Sequence, residues 1–499
     1  MKKMNLLTMS LVSAAALSFS SCSNNDDLTG GGTQSQADGV YMTLKISGAT
    51  SHGTRTSVTA DKTTTENGNP DESTITQGML YIYDGQTCVF HKVITAEMFD
   101  TKPTQTTAGV TKPIKVAVTG AITTNKPYNV YFLANNTTVT DPLAAGKSFT
   151  ASTSGGADYA TANNFVMFNQ NDGTKEAAHS TVTFTDAAKS EATPAAAGEI
   201  KLDRVVARID NPSFAETVTT VTPATDTKTS INVADVVAGI TYEGYAVSNL
   251  NNNSYVKQNW DSKFETLNVK WGAEPKYYLP KSDYGTLYNA EGLGNFSSKE
   301  KPVSCKYAFE NTTIDVNDAT AVYFKVKVAL TETAMAASDF KDGTFYRYDG
   351  RLYTSIQAIF DNAATGEISN PFTETNSITP ADVVAKISDA DGKLTTDEAK
   401  LAQFRETYKI EVYRQGVMYY RWAISDNAYK PFIASETTHT YSVLRNSIYR
   451  LNVTKVSEIG KDVPNGPEPD DPIKNPNFYM NVTVSINPWV LNAQPIELK

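Results

Sequence analysis

The sequence predicts an all-β protein of two antiparallel β-sandwich domains, Greek-key or transthyretin-like, with minor helical insertions. Three observations predict it. Short runs of alternating apolar and polar residues recur along the chain, broken by Gly, Asn, Asp and Pro, which is how half-buried strands between turns read. Regular helical periodicity is scarce. The composition suits pleated surfaces: Val and Thr are plentiful, and 26 Tyr outnumber 20 Phe. With 499 residues, 40% of them hydrophobic, the chain can fill more than one core.

Taken in order, residues 1–21 read as a signal peptide. Lys2 and Lys3 open it, and the apolar stretch Leu6–Leu17 is too short to remain as a membrane-spanning anchor. Its end, "LSFSSC", resembles a bacterial lipobox, with Ser20 and Ser21 before Cys22 and Phe19 where Leu is usual. That resemblance implies cleavage before Cys22 and lipidation of Cys22 with palmitate-like chains. Each buried methylene then contributes ~0.8 kcal/mol of membrane anchoring. The acidic "SNNDD" after it resembles a surface-export signal. Residues 22–39 are Asp, Gly, Thr, Ser and Gln rich and read as a flexible tether.

The first strand is "VYMTLKIS", with Val40, Met42, Leu44 and Ile46 on one face. Residues 48–73 are polar and without period, so they read as an exposed loop. Arg55 stands in it, extended and basic, as a trypsin-like protease requires. A cut there leaves Thr56 as the new terminus. Strand patterns at 78–85, 113–120, 128–136, 163–169, 180–186 and 200–210 complete a first β domain, residues 40–212. Patterns at 240–250, 275–280, 319–330, 345–356, 408–424 and 446–460 make a second, residues 213–460. Residues 461–477 form a proline-rich acidic hinge, and 478–499 the C-terminal strand region.

The last strand, "FYMNVTVSIN", repeats the pattern of the first. Phe478, Met480, Val482, Val484 and Ile486 share a face, and the ungapped alignment matches Tyr41-Met42 with Tyr479-Met480 and Ser47 with Ser485. Two strands with one apolar pattern can fill one groove. Pro488 is expected to break the last strand or mark an edge.

The chemistry is sparse. A net charge of −10 without a basic stripe argues against nucleic acid. His52, His91, His179 and His439 lie in no nucleophile or metal spacing and read as surface or loop residues. The chain therefore reads as no enzyme, with no cofactor and no metal. Residues 387–398, "ISDADGKLTTDE", approach a calcium loop through Asp389, Asp391, Gly392 and Glu398. Ile387 fills the first ligand position and cannot coordinate. The plainer reading is a helical insertion capped by Thr395 or Thr396. Cys88 and Cys305 are too few and too far apart for a disulfide framework, and whether they pair stays open.

These parts resemble the FimA/Mfa-type fimbrilins, subunits of the type V pili of Bacteroidales, closest to the short-fimbria major subunit. The resemblance rests on Cys22 and its lipobox, Arg55, "LDRVVARID", "VMYYRWAI" with "VLRNSIYRLNVTKVSEIG", and the final "VTVSINPWV". It implies an outer-membrane lipoprotein precursor that becomes an extracellular fimbrium for adhesion and biofilm. A trypsin-like protease cuts after Arg55, and the strand of Val40, Met42, Leu44 and Ile46 leaves. Phe478, Met480, Val482, Val484 and Ile486 of another copy then take its place, joining identical subunits head-to-tail between anchor and tip proteins. Two alternatives stand beside it. One is a monomeric surface lipoprotein that binds glycan or host protein through a Tyr- and Trp-lined platform. The other is a pilus anchor or tip protein, although a tip is expected to lack the donor strand and an anchor the cleavable loop, and this chain has both.

Overall fold

The computed structural model describes residues 39–48, 66–98, 114–143, 148–150, 159–170, 179–222, 232–250, 253–257, 297–298, 304–313, 319–373, 377–424, 441–463 and 480–490. Cys22, Arg55, Thr56, Phe478, His52, His439 and the strand expected at 275–280 lie outside the described residues.

Alternation builds the first sheet. Its strands come from β1 (Val40–Gly48), β3 (Gly78–Asp84), β4 (Thr87–Ile94), β5 (Ile114–Val118), β6 (Pro127–Ala134), β7 (Met167–Asn169), β8 (Ser180–Thr183) and β9 (Ala195–Arg204). Between β1 and β3 lie the short strand β2 (Glu66–Asn67) and the one-turn helix α1 (Pro70–Ser73). The hydrogen-bonded order is β4-β3-β6-β7-β9-β1-β5, with β8 also on β6. Most neighbours are antiparallel. β1 differs, because it runs parallel to β9 and antiparallel to β5. No hairpin joins β1 to β9, and the long chain between them permits a parallel pairing.

"LDRVVARID" reads as one strand, but the chain changes core inside it. β9 ends at Arg204 and β10 (Ala207–Asp210) begins a second sheet. Val205 and Val206 pack in the first core, while Ala207 and Ile209 pack in the second. The crossing therefore falls within 205–207, ahead of the expected boundary at 212.

The second core lies between two sheets. One has the order β13-β10-β19-β20-β2, where β13 is Cys305–Ala308, β19 Ser447–Val456 and β20 Met480–Val490; β11 (Ser213–Phe214) also pairs with β19. The other runs β12 (Val237–Ser248), β14 (Ala321–Leu330), β18 (Val417–Ala423). Ile209, Tyr449, Leu451 and Val453 from the first sheet meet Tyr245, Val247, Val322, Phe324 and Met418 from the second. Facing inward residues of two sheets make a sandwich.

The helical insertion is larger than a loop decoration. α2 (Ile356–Ala364), α3 (Pro380–Lys386) and α4 (Glu398–Tyr408) pack Ile359, Val383, Leu401 and Phe404 into a third core. A small sheet joins them: β15 (Phe345–Tyr348) and β16 (Arg351–Tyr353), a hairpin turned at Asp349-Gly350, with β17 (Glu411–Tyr413) on the other side of β15. Both turn residues have positive φ, as this tight turn requires. α4 is capped by Asp397, whose carboxylate accepts from Ala399 N at 3.0 Å and Lys400 N at 3.3 Å, so neither Thr395 nor Thr396 is the cap.

The segment 408–424, read as one strand, serves two sheets. β17 belongs to the helical unit and β18 to the sandwich, and Gly416 lies at the break with φ +78. A Cβ there would sit 2.3 Å from the Val328 carbonyl oxygen. The fold thus requires glycine at Gly416 for space as well as for φ. Gly366 also has positive φ, +77, but nothing lies within 4 Å of its would-be Cβ. Gly366→Ala should therefore destabilise by only about 1–2 kcal/mol, the conformational term alone. Gly416→Ala should cost about 3 kcal/mol or more, read from urea midpoints of the two variants.

Candidate assembly site

β1 is an inner strand. Val40, Met42, Leu44 and Ile46 are 4%, 0%, 1% and 0% exposed, while Lys45 between the last two faces outward. On one side Met42, Ile46 and Ser47 stand opposite Ala195, Ile200 and Lys201 of β9. On the other, Val40, Met42 and Leu44 stand opposite Val118, Val116 and Ile114 of β5. Burying four such side chains contributes roughly 6–12 kcal/mol gross, and each ladder hydrogen bond about 1 kcal/mol. Withdrawing β1 would leave an apolar slot between β9 and β5.

The C-terminal strand lies in the second sheet of its own chain. β20 runs antiparallel to β19, with Met480 opposite Val456, Val482 opposite Val453, Val484 opposite Leu451 and Ile486 opposite Tyr449. All four partners on β19 are core residues. The strand does not stop at Pro488 but continues to Val490. Among the described residues its other edge is met by β2 alone, with Glu66 opposite Trp489 and Asn67 opposite Val490. Pro488 thus falls where that second pairing is absent among the described residues, a place that needs no ladder donor. The proline-rich hinge does not begin at 461. Lys461 exchanges backbone hydrogen bonds of 2.7 and 2.8 Å with Tyr419, and the buried Asp462 carboxylate accepts from Arg405 Nε and from Val412 N.

Residues 66–73, read as part of an exposed loop, connect these two regions. Pro70 opens α1, and Asn69 N donates to Glu72 Oε2 at 2.7 Å. Glu72 is 1% exposed. Its carboxylate accepts from Tyr307 Oη at 2.6 Å and from Arg208 Nη1 at 3.0 Å. Arg208 also grips Asp210, with Nε–Oδ1 at 2.6 Å and Nη2–Oδ2 at 3.1 Å. Burial opposes the Arg208 charge, yet the hydrogen bond and charge of Asp210 and the charge of Glu72 raise its pKa overall. Arg204 sends Nε to the Glu72 carbonyl at 2.9 Å and Nη1 to Asn446 Oδ1 at 3.2 Å; burial lowers its pKa to about 9. Asn446 Nδ2 donates to Asp203 at 2.6 Å. The two signatures "LDRVVARID" and "LRNSIY" therefore meet at this junction. Sequence reading missed Glu72. The signal was "NPDE": a capping residue, Pro at the first helical position and Glu at the third.

The remaining named residues are dispersed. Cys88 on β4 and Cys305 on β13 are half-buried and are not joined by a disulfide. His91 is a half-buried strand residue, and His179 is exposed beside the Tyr131 ring at 5.6 Å. In the calcium-like loop, Asp389 Oδ1 accepts from Asp391 N and Lys393 N, both at 2.9 Å, and Glu398 Oε1 accepts from Arg414 Nη2 at 2.7 Å. Ile387 is core. Among the described residues, no group of three or more His, Cys, Asp or Glu is placed to hold a metal ion.

Residues 411–495, from β17 through β20, match the family model described as major fimbrial subunit protein type IV, fimbrillin, C-terminal. This agrees with the fimbrilin resemblance read from the sequence. No curated protein matches the chain. Among solved structures, a fimbrilin from Porphyromonas gingivalis W83 is 16% identical, with 91% of this chain and 99% of that one covered at a TM-score of 0.42. A candidate cell adhesion protein from Parabacteroides distasonis is 12% identical, with 90% and 97% covered at 0.42. The tip fimbrial protein Mfa3 from Porphyromonas gingivalis is 11% identical, with 90% and 100% covered at 0.34.

The burial along β1 sets an expected contrast in the uncut chain. Leu44→Ala should cost about 2–5 kcal/mol of stability. Lys45→Ala, one residue on and facing outward, should stay within about 0.5 kcal/mol. Urea midpoints of the two variants decide whether the face assignment is right.

Proposed function

We propose that the chain is a shaft subunit of a cell-surface fimbrium, assembled by exchanging β1 for residues 478–486 of another copy. One observation carries this reading: β1 is a buried inner strand, and its apolar alternation recurs in the last strand of the same chain. The match of residues 411–495 to the fimbrillin C-terminal model supports the fimbrial assignment.

In this reading the precursor is held at the outer membrane by lipid on Cys22. A trypsin-like protease cuts between Arg55 and Thr56, in the stretch that joins β1 to β2. The cut separates β1 from everything after it, so β1 can leave without unfolding the chain. The vacated slot then takes Met480, Val482, Val484 and Ile486 of the next subunit, and the head-to-tail joint repeats from anchor to tip. Leaving again would expose the whole apolar slot at once, which makes the joint slow to open.

The test uses purified full-length chain cut by trypsin. Cut chain should give ladders on a denaturing gel without boiling, whereas Arg55→Ala should stay a folded monomer. Val484→Asp should abolish the ladder, because an unpaired carboxylate in an apolar slot costs several kcal/mol. Thr483→Asp should largely preserve it, because neighbouring residues of a strand face opposite sides. Thermal melts of each monomer control for folding. Ladders from uncut chain, or equal loss in both Asp variants, would refute the exchange.

A further inference from the structure

We infer that β5 is a flap over the β1 slot: it lets go when β1 leaves and closes again on the strand of a second copy that enters. The inference rests on the strand-exchange reading and concerns how that slot is opened. β5 is the last strand of its sheet, and every residue of its register is matched to β1. Ile114, Val116 and Val118 are buried in the core that β1 also fills, while Lys115 reaches outward to Glu191 at 3.4 Å in an exposed ion pair. Exposed pairs hold weakly. With β1 gone, β5 keeps apolar contacts on one face but has no ladder neighbour among the described residues, and a short isolated strand does not hold its conformation in water.

Two outcomes are open to an orphaned β5. It could slide one strand spacing, ~4.8 Å, onto β9 and seal the slot, or it could swing away. The chain that follows it decides between them. Thr123 N donates to Tyr128 Oη at 2.8 Å and Asn125 N to the Phe184 carbonyl at 2.6 Å, which fixes the approach to β6. That anchor resists translation by a whole strand. Gly120, between β5 and the anchor, has φ +117, a conformation that favours glycine and suits a pivot. Rotation about Gly120 is therefore the open motion. An entering strand can then pair sideways with β9, and β5 folds over it, so nothing has to thread between two fixed strands.

Hydrogen exchange read by mass spectrometry tests this on wild-type chain cut at Arg55 and kept dilute. Segments 40–48, 78–84 and 114–118 are compared before and after the cut. Residues 114–118 should exchange about tenfold faster or more once β1 is lost, with 78–84 unchanged. Adding a synthetic peptide of residues 478–490 should restore their protection. If 40–48 lose protection while 114–118 keep theirs, β5 has sealed onto β9 and the flap is wrong, although strand exchange survives. If 40–48 stay protected after the cut, the exchange reading fails and the flap fails with it.

Discussion

The buried carboxylate of Glu72 is the constraint on which the rest of the architecture depends. A carboxylate that is 1% exposed is tolerable only with matched donors, and here Arg208, Tyr307 and Asn69 N supply them. Each donor belongs to a different part of the chain. Arg208 lies on the strand that crosses from the first core to the second, Tyr307 on the neighbouring strand, and Asn69 on the helix cap beside Glu72 itself. Arg204 adds the Glu72 carbonyl and Asn446 to the same network. Removing Arg208 would take the charged partner from the buried Glu72 carboxylate, and removing Glu72 would leave Arg208 to Asp210, so residues 66–73 are held where they stand.

In the proposed exchange, that fixed point separates a part that stays from a strand that leaves. β1 precedes it and carries its stability in four apolar side chains and two ladders. The junction beyond it is held by charge and hydrogen bonds that none of the β1 residues share. Loss of β1 therefore removes area-dependent burial but leaves the junction intact. A protein that must give up a strand without coming apart needs this separation between what is exchanged and what is fixed. In the proposed exchange, any displacement of the C-terminal strand would begin beyond Asp462, which is bound by Arg405 and Val412 N.

Much of this was legible in the sequence, and the reasons differ by element. Period-two alternation is local, so β1, β5, β14 and β20 could be read from their own residues. The Arg and Asn signatures were visible as patterns, but not that Arg204 meets Asn446, because that pairing spans 242 positions. Glu72 was passed over inside a polar stretch read as loop, because its partners are 136 and 235 positions away. The split of 408–424 was hidden for another reason. Gly416 was read as part of a strand, and only the Val328 carbonyl beside it reveals that the backbone must turn there. The helical unit was recognised as helical, but a separate core depends on long-range packing of Ile359, Val383 and Phe404 that no local period contains.

The position of β20 bears on the direction of the proposed exchange. In its own chain it has one full ladder, to β19, and among the described residues the two residues of β2 on the other edge. Among the described residues it is thus paired on one side alone along most of its length. The β1 slot has a ladder on each side, β9 and β5. In the proposed exchange, a strand that moves from the first position to the second gains a second ladder along most of its length. Hydrogen bonds that replace water contribute about 1 kcal/mol each, so the second ladder favours the intermolecular position by several kcal/mol before association costs. While β1 occupies the slot no such gain exists, and the tail stays where it is. On the proposed exchange, uncut chains would therefore be indifferent to one another, and it is the removal of β1 that would turn the same two strands into a joint.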